Sequence, residues 1–175
     1  AEEAYDANGT WNAANKLSLT ESGKYVIYVR ITDMAGNQTI INSDGVVVFK
    51  DSVVVDSSIG YTRTTKASVD AKVTLNGNTV ASVRNGETTL TEGKDYTVSA
   101  DRITFSGEYL DTLEAGTYKL TVAYHPQGVT EYKGGDKPAD SQIAVNVSCQ
   151  TANVKITGTL DKEYDGQPAD LAYTT

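Results

Sequence analysis

Between Val73 and Tyr124 apolar and polar residues alternate in short runs separated by Gly- and Asn-containing turns, the period-two signature of half-buried strands. Val73-Thr74-Leu75 leads into Asn76-Gly77-Asn78 and then Thr79-Val80. Asn and Gly tolerate positive φ, so the pair predicts a tight hairpin turn. A second turn at Asn85-Gly86 precedes Thr88-Thr89-Leu90, and a third reversal falls at Glu92-Gly93-Lys94. Asp95 to Val98 and Arg102 to Phe105 alternate again. From Ser106 to Gly116 the period lengthens: Leu110 and Leu113 stand at i, i+3, with Ser106 placed as an N-cap and Gly116 to end the turn. Tyr118, Leu120, Val122 and Tyr124 then share one face of a long strand. The pattern predicts most of a small Greek-key sandwich with one short helical crossover.

The flanks carry shorter patterns. Tyr25, Ile27, Val29 and Ile31 predict one face of a single strong strand, with Tyr28, Arg30 and Thr32 opposite. Asp33 to Asn37 is the reversal and Gln38 to Ile41 the return strand. Val46-Val47-Val48-Phe49 is a continuous apolar run suited to a strand covered on both faces. Val53-Val54-Val55 opens the central part, Asp56-Ser57-Ser58 turns, and Tyr61 to Ala71 is assigned a weak strand. After Tyr124 a polar loop runs from His125 to Asp140, before Ile143, Val145 and Val147 resume the alternation. Asn153 to Ile156 is a further strand and Lys162 to Pro168 a turn. The resulting division is an incomplete domain over 1–50, a complete sandwich over 51–149 and the start of another repeat over 150–175.

Length agrees with that division, because 175 residues are long for one sandwich of roughly 100 residues and short for two. The net charge of −8, without any basic run, argues against nucleic acid and anionic membrane surfaces as partners. No apolar stretch approaches the ~20 residues of a membrane span. The chain lacks an initiator Met, a signal peptide and a tail anchor, so an excised internal segment is expected. The single cysteine, Cys149, excludes an intramolecular disulfide framework and a multi-Cys metal site. A Cys-poor all-β chain rich in Thr, Asn and Gly fits an exported bacterial protein.

Three resemblances follow from these runs. Gly23 to Tyr28, Ile31 to Asn37 and Asn42 to Val46 resemble the second half of the bacterial Ig-like repeats of Gram-positive surface proteins. That resemblance implies a spacer module, and with its first strands missing it implies an exposed core edge. The runs Val73 to Asn78, Asn85-Gly86, Thr89 to Thr91, Gly93 to Val98 and Tyr109 to Thr117 resemble the Ig-like X-two modules of bacterial cellulases and cellulosome scaffolds. This covers about Ser52 to Ser148. The resemblance implies an Ig-like sandwich grouped with carbohydrate-binding modules, many of which act as spacers. The chain departs from that family after Tyr124, where the long polar loop replaces a tight turn. Tyr164-Asp165-Gly166 and Pro168 resemble the start of the YDG-type repeats of bacterial adhesins.

Candidate chemistry is sparse. His125 is the only histidine, and no Gly-x-Ser-x-Gly elbow accompanies it. Glu108, Asp111, Glu114, Asp136 and Asp140 are carboxylates, but a glycosidase needs two of them across a sugar cleft. Helix-turn acids ordinarily face solvent, and no catalytic residue is assigned. Asp33 with Asn37, or Asp136 with Asp140, offers hard oxygen ligands for calcium, though Asp-Gly-Asn clusters are also ordinary turn chemistry. Sugar stacking needs exposed flat rings beside polar groups, for which Tyr132, Trp11 and Tyr124 are the candidates, with Tyr61 behind them. Tyr124 is in phase with the core face, Trp11 suits a plug for its own domain, and Tyr132 is the ring expected to stand out. Cys149 has no basic neighbour to activate it.

These residues describe an all-β chain, Ig-like Greek-key sandwiches in tandem, without a cofactor and without catalysis. The expected role is a monomeric spacer in a large bacterial surface protein, an adhesin or a surface-attached glycan-active enzyme. Its partners would be the neighbouring Ig-like domains, and its location extracellular, fixed to the cell wall through other parts of the parent protein. Short junctions at Lys50–Ser52 and Cys149–Thr151 would limit bending. The competing reading is a carbohydrate-binding module that brings an attached enzyme to polysaccharide.

Overall fold

The computed structural model describes residues 2–5, 11–13, 17–151, 155–157 and 172–174, with side chains over 17–151. The chain is all-β. In order, the strands are β1 (Glu2–Tyr5), β2 (Trp11–Ala13), β3 (Gly23–Tyr25), β4 (Tyr28–Thr32), β5 (Gln38–Asn42), β6 (Val46–Val48), β7 (Val53–Val54), β8 (Ser58–Thr62), β9 (Val69–Thr74), β10 (Thr79–Asn85), β11 (Thr88–Thr89), β12 (Tyr96–Val98) and β13 (Arg102–Phe105). The helix α1 (Gly107–Asp111) leads to β14 (Gly116–His125), β15 (Ser141–Ser148), β16 (Lys155–Thr157) and β17 (Ala172–Thr174).

The central part is a two-sheet sandwich. One sheet has the order β11-β10-β14-β15-β8 and the other β12-β13-β9-β7. All pairings in these sheets are antiparallel except β15 with β8, where Val145 stands opposite Ile59. The alternation read from the sequence decides which side chains meet between the sheets. Leu120, Val122 and Tyr124 of β14 and Ile143, Val145 and Val147 of β15 point inward. They meet Ala71 and Val73 of β9 and Ile103 and Phe105 of β13, all buried. Tyr61 and Ile59 of β8 join the same core, so the weak strand expected at Tyr61 begins earlier, at Ser58, and closes the sheet edge. The parallel pairing hides it from the sequence, since a parallel partner needs no adjacent turn.

Helix α1 begins after Ser106, whose backbone is extended but whose side chain makes no capping bond. Leu110 is fully buried and Leu113 packs at the core margin. The helix ends at Thr112, ahead of Gly116, which opens β14 instead of terminating the helix.

Two turn expectations change. Asn76 and Gly77 both have positive φ (53° and 84°), as the Asn-Gly pair predicts. They do not close a hairpin, however, because β9 and β10 lie in opposite sheets. The turn is an arch across the sandwich. The Asn85-Gly86 turn does close a hairpin, with Asn85 opposite Thr88.

In the N-terminal part, β2-β1-β4-β5 form one sheet and β3-β6 a separate two-stranded ribbon. The single strand expected from Tyr25 to Ile31 is therefore broken at Val26-Ile27, where the chain changes sheet. Both polar groups of the Ile27 backbone are taken up by Ser43: its hydroxyl accepts from the Ile27 N–H (3.0 Å), and its N–H donates to the Ile27 carbonyl (2.8 Å). β6 is half-buried throughout, less covered than its apolar run predicts. Val26, Tyr28, Ile31, Ile40 and Ile41 are exposed, with Ile40 at 58%. At the other end, β16 and β17 pair antiparallel with Ile156 opposite Tyr173. Tyr164, Asp165, Gly166 and Pro168 lie outside the described residues. Among the described residues no helix is long and apolar enough to cross a membrane.

Candidate functional site: a tyrosine cleft beside a clamped junction

The junction between the N-terminal part and the sandwich is held by side-chain amides centred on the buried Asn78. Asn78 is 2% exposed and uses both ends of its side chain. Its Nδ2 donates to the Lys50 carbonyl (2.8 Å) and to Ser52 Oγ (3.1 Å), and its Oδ1 accepts from the Gln127 N–H (3.1 Å). Ser52 Oγ donates onward to the Leu75 carbonyl at 2.9 Å. Around this centre, Asn76 Nδ2 donates to the Asp51 carbonyl (2.6 Å) and Gln127 Nε2 to the Asn76 carbonyl (3.0 Å). The Ala139 N–H donates to Asp51 Oδ1 (2.8 Å). Satisfied buried amides specify one geometry, because any displacement strands a polar group away from water. The arch at Asn76-Gly77 thus serves as the anchor for residues 50–52 and for the long loop after β14.

Beside this junction an open cleft of about 850 Å³ separates the β3–β6 ribbon from the loop. Lys24, Tyr25, Asp44 and Val47 form one wall; Val129, Glu131, Tyr132 and Lys133 form the other. Tyr132 is half-buried, and the ring of Phe49 meets it edge-on, centroids 6.5 Å apart and planes at 86°. That T-shaped contact braces one side of the Tyr132 ring. Gly134 makes room for it, since a Cβ at Gly134 would overlap the Tyr132 hydroxyl and ring. On the opposite wall the Tyr25 hydroxyl donates to the Glu21 carbonyl at 2.8 Å, which fixes that ring in turn. Lys24, Asp44, Glu131 and Lys133 are exposed at the rim. The arrangement offers two rings and a mixed set of hydrogen-bonding groups, with two cations balanced by two anions.

The other sequence candidates fall elsewhere. Tyr124 is 4% exposed in the sandwich core, where burial raises the pKa of its hydroxyl, so it is not available for stacking. Tyr61 is buried as well. The side chain of Trp11 lies outside the described residues. Both oxygens of Asp33 are spent on its own turn: Oδ1 accepts from the Ala35 and Asn37 N–H groups and Oδ2 from Asn37 Nδ2. These donors, led by the Asn37 side chain, hold the Asp33 carboxyl below its ordinary value and close the turn on itself. Asp136 is exposed and Asp140 pairs with Arg84 at 3.7 Å. Among the described residues no three His, Cys, Asp or Glu side chains gather as a metal site.

The acids of α1 and of the turn after it face the 63–66 loop. Glu108 pairs with Lys66 and Glu114 with Arg63, each at 3.3 Å, and Asp111 Oδ1 accepts from the Thr64 N–H at 2.7 Å. Together they brace the 63–66 loop, where Thr64 and Lys66 have positive φ. His125 ends β14 opposite Thr79, half-buried. Cys149 is exposed. The sequence carries no signal for the Tyr25 wall, because Tyr132 lies more than a hundred residues beyond Tyr25 in the chain.

Residues 54–131 match the family Carbohydrate binding domain X2. The matched family is a binding domain, in keeping with a non-catalytic segment, and its span includes β8 through β14 of the sandwich. Cellulose-binding protein A of Clostridium cellulovorans is 36% identical over 90 residues, 51% of this chain and 5% of that protein. A xyloglucanase of a Paenibacillus species is 42% identical over 59 residues, 34% of this chain and 6% of that protein. The chain thus spans about a twentieth of the curated relatives it matches. Among solved structures, the tri-modular endo-β-1,4-glucanase B of Bacillus halodurans aligns with a TM-score of 0.45 at 20% identity, covering 61% of this chain and 18% of that one.

Proposed function

We propose that this chain is a carbohydrate-binding segment of a larger exported protein, and that it brings that protein to a polysaccharide. The observation that carries this reading is Tyr132, half-buried, braced by Phe49 and facing a cleft with hydrogen-bonding groups on both sides. A sugar ring stacks on such a face while its hydroxyls reach polar neighbours. The X2 match at 54–131 and the names of the relatives support a β-glucan, of the cellulose or xyloglucan type, as the target. Binding here serves a neighbouring enzyme domain by holding it at its substrate. The test is a polysaccharide panel with plant β-glucans and mucin-type glycans, run on the whole chain and on Tyr132→Ala. Saturable binding lost in the variant is the expected result; no binding by the unmodified chain to any glycan would refute the reading.

A second reading is favoured by the Asn78 clamp: a spacer that holds its neighbours at a set angle. In this reading residues 1–50, 51–149 and 150–175 belong to three successive units of a monomeric tandem array on a Gram-positive surface protein, anchored to the cell wall elsewhere. The two roles are compatible. Small-angle scattering that shows free bending at residues 50–52 would remove the spacer role and leave the first reading in place.

A further inference from the structure

The polysaccharide cleft lies mostly outside the segment that matches the X2 family. Of its lining residues, Val129 and Glu131 fall within 54–131, while Tyr25 and Val47 come from the preceding ribbon and Tyr132 follows the match. We propose that the binding unit is composite: the β3–β6 ribbon and the 129–134 loop together hold an uncharged glycan chain, and Asn78 is the positioning residue that sets the two walls. This rests on the polysaccharide-binding reading above.

Three observations support it. The walls carry one tyrosine each, so a glycan between them gains a ring contact on both sides, which neither wall supplies alone. The charged rim is balanced, Lys24 and Lys133 against Asp44 and Glu131, although the whole chain carries −8. A polyanion would meet two carboxylates there and an excess of negative charge beyond, whereas the hydroxyls of a neutral sugar find donors and acceptors in equal measure. The cleft also falls within the roughly 300–1,000 Å³ typical of ligand sites.

The walls would drift apart if the junction bent, and the junction is where Asn78 acts. Its Nδ2 holds the Lys50 carbonyl, next to Phe49 and the end of β6, and its Oδ1 holds the Gln127 N–H at the start of the loop that carries Tyr132. One amide therefore grips the root of each wall. Affinity gained from two opposed surfaces depends on their being set before the ligand arrives.

The experiment is isothermal titration calorimetry of the whole chain with soluble xyloglucan and, separately, polygalacturonate. Alongside it run Tyr132→Ala, Tyr25→Ala, Asn78→Ala and Asn76→Ala, each checked by thermal melting. The unmodified chain should bind xyloglucan at least tenfold more tightly than polygalacturonate. Tyr132→Ala and Tyr25→Ala should each weaken xyloglucan binding about tenfold or more, and Asn78→Ala about as much with a cooperative melt retained. Should Asn78→Ala fail to fold, Asn76→Ala, which releases the Asp51 carbonyl and places an alanine at φ +53°, should still weaken binding two- to fivefold. If Tyr132→Ala abolishes binding while Tyr25→Ala and Asn76→Ala bind like the unmodified chain, the composite site is wrong and polysaccharide binding by the loop alone stands. Equal affinity for polygalacturonate overturns the neutral ligand class. Absence of any glycan binding by the unmodified chain overturns the underlying reading itself.

Discussion

The hydroxyl of Tyr61 donates to Oδ1 of Asp111 at 2.5 Å and lies 3.2 Å from the Gly107 carbonyl, so the edge strand β8 is tied to α1 across the end of the core. Burial first, and then the Asp111 carboxylate, raise the Tyr61 pKa, which keeps the hydroxyl a donor. The same Asp111 oxygen accepts the Thr64 N–H, so one carboxylate fastens both the strand and the strained loop that follows it. Tyr61→Phe keeps the ring in the core and removes the tie. Urea unfolding should show a loss of about 1–2 kcal/mol. An unchanged midpoint would mean the tie contributes nothing net.

Acid should weaken the fold. Asp111, Asp70 and Asp33 are all held below the ordinary carboxylate value of 3.8. The Tyr61 hydroxyl is the leading cause for Asp111, Thr104 for Asp70 and the Asn37 side chain for Asp33. The folded state therefore binds fewer protons than the unfolded state near that pH. Their stabilisation is complete above the unfolded value and is lost as pH falls through the depressed folded values. The melting temperature should be level near neutrality and fall from about pH 5 downwards. Asp111→Asn should flatten part of that fall; an identical acid limb in the variant would assign the fall to other groups.

Gly107 is a packing glycine, not a turn glycine. A Cβ there would run into the backbone of Lys66, which cannot swing aside as a side-chain tip can. Gly107→Ala should destabilise by about 1–3 kcal/mol through displacement of the 63–66 loop or of α1. Gly86→Ala is the matched comparison: its φ is +57° and nothing lies near the added carbon, so only about 1 kcal/mol of backbone strain is expected. Equilibrium unfolding of both variants checks the order, and a Gly107 variant no worse than the Gly86 one would contradict it.

Much of the sandwich was legible because period-two alternation is a local record of which face is buried. Leu120, Val122, Ile143 and Val145 are inward as their spacing predicts. Where the sequence misled, the deciding contact was remote. Asn76-Gly77 carries the dihedrals of a hairpin turn, yet which sheet receives β10 depends on pairing with β14, some forty residues on. The break at Val26-Ile27 rests on Ser43, and the same alternating run would read as one strand without it. The candidate site was half legible. Tyr132 stood out as a ring in a polar loop, but Tyr25 looked like an ordinary strand residue until the ribbon was placed against that loop. Tyr124 shows the converse, a tyrosine whose phase with Leu120 and Val122 correctly marked it as core.

The placement of Tyr132 depends on its neighbour Gly134 having no side chain. A methyl group at Gly134 would occupy the space of the Tyr132 ring and hydroxyl, and the ring is already held on another side by Phe49. Gly134→Ala must therefore turn the ring away from its present face or move the loop. Gly134 is exposed and remote from the sandwich core, so global stability should change by less than about 0.5 kcal/mol. Xyloglucan affinity should nonetheless fall several-fold, approaching the loss in Tyr132→Ala, while Gly135→Ala, with open space around the added carbon, should bind as the unmodified chain does. The contrast between these adjacent glycines separates ring placement from loop flexibility, since either alanine stiffens the loop but only one displaces Tyr132. Equal losses in both variants would attribute binding to the loop backbone and remove Tyr132 orientation as the cause.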